Sequence, residues 1–166
     1  MQARTNFSER TDRLLDRAEQ ACDQRGSRLT DIRRHVLGLV LESDTPAGAY
    51  ELLDRLRPSH KGAAPPTVYR ALDFLLEQGL IHKVERLSAF VGCVHDVPGS
   101  RPDTGHHHHG AQFLICRQCN RTIELDDAEI GHALANAAGR AGFALHRATV
   151  EIEGVCAACM RAAHPE

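Results

Sequence analysis

The sequence has few aromatic residues, no tryptophan and little net charge. Aromatic side chains make up 4% of the 166 residues, so we expect a core built mainly from leucine, valine, isoleucine and alanine. No apolar run approaches the roughly 20 residues that a membrane-spanning helix requires. The first residues, MQARTNFSERTDRLLDR, lack the apolar segment of a secretory signal, and we therefore expect a cytoplasmic protein.

The remaining composition indicates a folded protein with an unusual supply of metal-binding side chains. Apolar residues at 42% and charged residues at 25% are typical of a globular chain. A net charge of −2 means that any surface for nucleic acid must be local. The chain has 11 histidines and 6 cysteines. Because the cytoplasm keeps thiols reduced, closely spaced cysteines indicate metal ligands before disulfides.

Residues 1–94 have the pattern of four helices followed by a β-hairpin. Apolar residues recur at helical spacing, Pro65 and Pro66 begin the fourth helix, and Gly79 ends it. Two β-like runs at 80–85 and 89–94 follow. This order predicts a winged helix-turn-helix domain in which the fourth helix enters the major groove of DNA. Histidines without a partner pattern, among them His35 and His60, are expected at the surface or in loops.

The rest of the chain predicts a hinge and a second, smaller domain. Residues 95–110 are rich in proline, glycine and histidine, which favours a hinge loop. Residues 111–166 predict strands at 112–115, 120–125 and 143–154 and a helix at about 127–141, with Asp126 and Glu129 resembling a capping box. A domain of about 55 residues has little core of its own, so we expect a metal site, a partner subunit or both.

Two CxxC motifs, Cys116 with Cys119 and Cys156 with Cys159, predict a metal site. Each motif places two thiolates on one side of a tight turn, and two motifs complete a four-sulfur zinc site with no open coordination position. Such a site is structural. Disulfides are the alternative, which a reducing compartment and the symmetric spacing oppose.

A second metal site could draw on mixed ligands from the hairpin, the hinge and the second domain. The candidates are His82, Cys93, His106, His107, His108, His109, Glu124 and His146. A thiolate combined with imidazole and carboxylate suits Zn²⁺ better than Fe²⁺ or Mn²⁺. Taken singly, His82 could be a half-exposed strand residue, Cys93 a small core residue, and the histidine run a nonspecific surface tract.

The fourth helix carries the candidate DNA contacts. Arg70 could bind guanine in a bidentate manner, while Thr67 and Tyr69 beside it could hold phosphates. Lys61 in the preceding loop, and Lys83 and Arg86 in the hairpin, would add phosphate contacts. The alternatives are a plain helical bundle with a solvated face, or a winged helix that binds a protein.

Four segments of the sequence together resemble the ferric uptake regulator (Fur) superfamily and, within it, its zinc uptake regulator (Zur) branch. They are RLTDIRRHVL, PPTVYRALDFLLEQGLIHKVE, the two CxxC motifs and GFALHRATVEIEGVCAAC. The resemblance covers nearly the whole chain. It implies an α+β protein with an N-terminal winged helix-turn-helix domain and a small C-terminal α/β dimerisation domain (residues 111–166) with a four-cysteine zinc site. It also implies a homodimer that binds palindromic operator DNA when zinc is bound.

The resemblance also assigns residues. Cys116, Cys119, Cys156 and Cys159 match the structural zinc site of the family, and His82, Cys93, His109 and Glu124 match its regulatory zinc site. Tyr50 and Arg70 match residues that contact DNA bases. The four consecutive histidines are more than is typical, which leaves the choice among His106–His109 open and permits a third site using His107 and His146.

Two other functions fit parts of the pattern, and a third does not. A Fur-superfamily sensor of iron or peroxide would favour His, Asp and Glu ligands, so Cys93 is the residue that discriminates against it. A zinc-buffering protein would fit the histidine run but would not need the fourth helix. No HExxH or comparable catalytic arrangement is present, so we do not expect an enzyme.

Overall fold

A computed structural model describes residues 7–93, 111–146 and 148–163, which form two compact units. The first unit lies within residues 7–93 and the second within residues 111–163. The predicted hinge, residues 95–110, lies outside the described residues. In the described part of the chain, every helix is too short or too polar to cross a membrane.

Four helices make up most of the first unit, where the sequence pattern predicts them. They are α1 (Glu9–Gln24), α2 (Asp31–Leu41), α3 (Ala49–Leu56) and α4 (Pro65–Glu77). The Ser8 hydroxyl caps α1 by accepting a hydrogen bond from the Thr11 amide. Gly79 ends α4 with a φ of +69°, a left-handed conformation that glycine adopts without steric penalty.

A three-stranded sheet packs at the end of these helices and forms the wing. Its strands are β1 (Ala47–Gly48), β2 (Ile81–Val84) and β3 (Ala89–Gly92), in the order β1-β3-β2 with antiparallel pairing. A short 3₁₀ turn and Ser88, with a φ of +47°, connect β2 to β3. The sequence predicts β2 and β3 but not β1, which pairs with a strand about 40 residues away.

The core of the first unit consists of aliphatic side chains from all four helices and the sheet. Leu52, Leu56, Val68, Leu75 and Ile81 are fully inaccessible to solvent. One expectation for this unit is wrong. His35 is 4% exposed rather than on the surface, because it lies on the side of α2 that faces the core.

The second unit is a three-stranded sheet with two helices and little core. It contains β4 (Ala111–Cys116), β5 (Thr122–Leu125), α5 (Ala128–Arg140), β6 (Thr149–Gly154) and α6 (Ala157–Ala163). The sheet order is β5-β4-β6, with β4 antiparallel to β5 and parallel to β6. In the described part of this unit, Gln112, Phe113, Ile115 and Cys116 are buried, and α5 buries no residue.

Three details of the second unit differ from expectation. The last strand begins at Thr149 rather than at 143, and the sequence does not predict α6. The N-cap of α5 is Asp127 rather than Asp126, because Asp127 Oδ1 accepts hydrogen bonds from the amides of Glu129 and Ile130.

Candidate metal centres and DNA-binding surface

The parallel pairing of β4 with β6 brings the two CxxC motifs together. Cys116 ends β4 and lies in register with Gly154 at the end of β6, so the chain leaves both strands at the same edge of the sheet. Cys119 follows in the turn after β4, and Cys156 and Cys159 follow β6. The four Sγ atoms lie within 4.8 Å of one another. This separation suits four ligands of one tetrahedral ion.

Main-chain amides surround the sulfur of Cys116. The Cys156 amide donates to Cys116 Sγ at 3.3 Å. This bond, with those from the amides of Cys119 and Gln118, lowers the pKa of the Cys116 thiol to about 6. The thiolate, which is the form that binds metal, is therefore accessible at neutral pH. The sequence analysis considered side chains only and did not identify these main-chain amides. The one sequence signal that could have revealed them is the CxxC turn.

The sulfurs also oppose one another's ionisation. Cys119 Sγ lies 3.8 Å from Cys156 Sγ. Hydrogen bonds with the Cys156 and Cys119 side chains raise the pKa of the Cys159 thiol to about 12, because they hold its proton in place. A divalent cation among the four sulfurs would remove that penalty. All six cysteines are free thiols, so the disulfide alternative finds no support in the structure. The donor set fits Zn²⁺.

His82 and Cys93 lie together in the first unit, at the open end of the wing. His82 on β2 is in register with Val91, which places Cys93, two residues further along, as a diagonal neighbour on the same face of the sheet. A ring nitrogen of His82 lies within 4.8 Å of Cys93 Sγ. The Cys93 amide donates to the Leu80 carbonyl at 3.0 Å, so this pair adjoins the end of α4.

The remaining predicted metal ligands belong to the second unit or lie outside the described residues. Glu124 is partly buried on β5, in register with Phe113. His146 is exposed. His106, His107, His108 and His109 lie outside the described residues, so the choice among them and the third site stay predictions.

The predicted DNA contacts lie on the outer side of the first unit. Tyr50 at the start of α3 is 66% exposed, and Tyr69 on α4 is 44% exposed. Arg70, Lys61 and Arg86 are exposed as well. Thr67 also has a structural task, since its hydroxyl accepts a hydrogen bond from the Ala64 amide at 3.3 Å at the start of α4. Lys83 forms an ion pair with Glu85 at 2.6 Å, which reduces its availability for phosphate.

Comparison with known proteins assigns this architecture to a family. The sequence matches the Ferric uptake regulator family over residues 24–153. The chain belongs to the Ferric uptake regulator family. It is 41% identical to the Zinc uptake regulation protein of Escherichia coli (strain K12) over 160 residues, which cover 94% of this chain and 88% of that protein.

Two solved structures extend the similarity of this Fur-family chain to three dimensions. A zinc uptake regulator complexed with zinc and DNA has a TM-score of 0.82 at 41% identity and covers 92% of this chain and 97% of its own. A holo XcZur crystal structure has a TM-score of 0.76 at 41% identity and covers 90% of this chain and 98% of its own. These matches confirm the predicted fold class and the Zur branch of the Fur family. The family is one of regulators, which confirms that the chain is not an enzyme.

Proposed function

We propose that this Fur-family protein is a zinc-responsive transcriptional regulator, mainly a repressor. In this proposal it acts in the cytoplasm as a dimer and binds palindromic operator DNA when its regulatory zinc is bound, thereby controlling genes of zinc uptake and homeostasis. The observation that carries the proposal is the similarity over nearly the whole chain to a zinc uptake regulator complexed with zinc and DNA.

Two sets of side chains take different roles in this proposal. The four cysteines of the CxxC motifs hold a structural ion that links the end of β4 to the end of β6. His82, Cys93, His109 and Glu124 form the regulatory set. When bound, zinc supplies the positive charge that keeps deprotonated ligands together. The proximity of Cys93 to His82, and its hydrogen bond to Leu80 beside α4, support a regulatory role for this cysteine.

DNA recognition is assigned to the outer side of the first unit. Arg70 and Tyr50 contact bases, and Thr67 and Tyr69 lie beside them. Lys61, Lys83 and Arg86 contact phosphates. The exposure of both tyrosines supports this assignment, because large side chains that lie on the surface of a monomer are available for a ligand.

Dimerisation is assigned to the second unit. Large apolar side chains are exposed there, among them Phe143 at 74%, Met160 at 52% and Ile123 at 43%. A unit with so small a core and so much exposed apolar surface gains stability when a second copy covers it. Dimerisation also matches the two half-sites of a palindromic operator.

The test is operator binding at buffered free zinc by the Cys93→Ser, Cys116→Ser and Cys22→Ala variants. Cys22 is a buried thiol on α1 outside both ligand sets and serves as the control. Cys93→Ser should remain a folded dimer and lose zinc-dependent operator binding. Cys116→Ser should instead lose stability and dimerisation. Normal zinc-dependent binding by Cys93→Ser would refute the regulatory site.

The magnitude of the zinc effect sets a second requirement. A 10³-fold zinc-dependent gain in operator affinity corresponds to about 4 kcal/mol of coupling between zinc and DNA. Operator DNA must then tighten zinc binding by the same factor, which competition with a zinc chelator can measure. Metal analysis of the purified protein separates this proposal from an iron or peroxide sensor, because iron in the site of Cys93 would contradict it.

A further inference from the structure

Two arginines from outside α4 lie against its C-terminal end. The last turn of α4 contains no basic residue, although the carbonyl groups at a helix C-terminus carry partial negative charge. Arg25 Nη1 donates to the main-chain oxygen of Gln78, the C-cap, at 2.9 Å. The Arg33 guanidinium carbon lies 3.7 Å from the centre of the Phe74 ring, the geometry of a cation–π contact.

The segment that supplies these arginines is itself fixed. Arg33 Nη1 donates to the Arg28 carbonyl at 2.7 Å, which joins the start of α2 to the turn before it. The Ser27 hydroxyl lies 3.1 Å from the Cys22 carbonyl on α1 and 3.0 Å from the side-chain oxygen of Gln78. We call Arg25, Ser27 and Arg33, with Phe74 and Gln78 of α4, the helix clamp.

The helix clamp holds the same ridge of α4 that carries a predicted base contact. Arg70, Phe74 and Gln78 are spaced by four residues, so they form one row along the helix surface. The buried residues of α4 are Val68, Ala71, Leu72 and Leu75, which lie outside this row, and Phe74 is partly buried against the same core. The core therefore holds α4 mainly through its buried residues, and the helix clamp adds contacts that hold the row of Arg70.

A small tilt at the clamped end produces a large displacement at the DNA end. Thr67 and Gln78 are 11 residues apart, which at 1.5 Å per residue is a lever of about 16 Å. A tilt of about 5° would move the first turn by about 1.4 Å over that length. Hydrogen bonds to base edges tolerate only a few tenths of an ångström, so such a shift would break them.

We propose that Arg25, Ser27 and Arg33 are positioning residues of the DNA-binding surface, and that they set operator specificity by holding the ridge of α4 that carries Arg70. This inference rests on the proposed function. It assigns these residues no direct contact with DNA. Removal of the helix clamp should therefore weaken binding to the operator while binding to unrelated DNA is unchanged.

The experiment compares the double variant Arg25→Ala/Arg33→Ala with the charge-matched control Arg10→Ala/Arg28→Ala, in which two exposed side chains of the same unit are removed. The probe is a palindromic duplex that the zinc-loaded wild-type protein selects from random DNA. A random duplex of equal length measures nonspecific affinity, and both are titrated at several salt concentrations with saturating zinc.

We expect the ratio of operator to nonspecific affinity to fall about tenfold relative to the control, with the salt dependence of the two double variants equal. A ratio equal to that of the control would overturn the inference. A parallel loss for both duplexes, with a salt slope shallower by about one per arginine than in the control, would also overturn it, because the arginines would then contact phosphates.

A further variant and hydrogen exchange test the helix clamp if the double variant does not fold or if the wild-type protein does not bind DNA. If Arg25→Ala/Arg33→Ala does not fold, Phe74→Leu removes the ring and keeps an apolar side chain, and the same fall in the affinity ratio is expected. If the wild-type protein binds no duplex with zinc, the proposed function fails, but hydrogen exchange still tests the clamp. Amides of residues 78–80 should exchange faster in the double variant than in its control, and equal rates would refute the clamp.

Discussion

Acidification is expected to destabilise the first unit through His35. This side chain is 4% exposed, and its ring packs edge-on against Phe7 at 5.6 Å and against His60 at 5.0 Å between ring centres. In the part of the chain that the structure describes, His35 Nε2 and His60 Nδ1 are buried without a hydrogen-bond partner. Burial, and secondarily the charge of His60, lower the pKa of His35.

The sign of the effect follows from proton binding. Below the ordinary histidine pKa of about 6.5, the unfolded chain takes up a proton that the folded unit resists, so the free energy of unfolding falls as the pH falls. Above that pH, the contribution of neutral His35 to the free energy of unfolding is fully present. Between pH 7.5 and 5.5 the free energy of unfolding falls by at most about 1.4 kcal/mol through this residue. That maximum applies if His35 stays neutral in the folded state throughout.

The assay is urea unfolding of the zinc-loaded protein at pH 7.5, 6.5 and 5.5, with bound metal measured at each pH. The variant His35→Leu removes the titrating ring, so it should lose less stability on acidification than the wild-type protein, by up to the limit above. The control His132→Gln alters an exposed histidine on α5 and should follow the wild-type protein. Parallel losses in wild-type and His35→Leu would refute the reasoning, because acid would then act elsewhere, for instance by releasing zinc.

Three further predictions concern backbone geometry, packing and metal. Gly79→Ala should lower stability by about 1 kcal/mol in urea unfolding because of its φ of +69°, whereas Gly139→Ala, which has equal space within α5, should not lower it, because alanine is the better helix former. Gly92→Ala would place a Cβ against Leu41 Cδ2, and a loss of about 1–3 kcal/mol is expected; an unchanged midpoint would show that Leu41 moves freely. Removal of zinc by a chelator should lower the thermal unfolding temperature of the second unit, and re-addition of zinc should restore it.

The sequence predicts those features that local patterns encode. Apolar residues at helical spacing located α1 to α4, and the CxxC turns identified four ligands before their strands were known. It did not predict β1, because two residues carry no periodicity and pair with a distant strand. His35 was misassigned because residue type was given more weight than its position on the inward side of α2, where Val36 and Leu39 flank it in the same buried stripe. The cap at Asp127 differs by one residue from the expected one, a choice that only backbone geometry decides.

The parallel pairing of β4 with β6 has an effect on the synthesis of the chain. Cys119 and Cys156 are separated by 37 positions, so an ion held by both motifs closes a ring of that length. By the entropy of ring closure, a crosslink that persists in the unfolded chain would stabilise the native state by about 4 kcal/mol, because it lowers the conformational entropy of the unfolded state. The ring cannot close until the ribosome has made the segment after β6, and until then the site lacks two of its four ligands, Cys156 and Cys159. The thiols of the first CxxC motif are therefore without the protection of a shared ion until the second motif has been made.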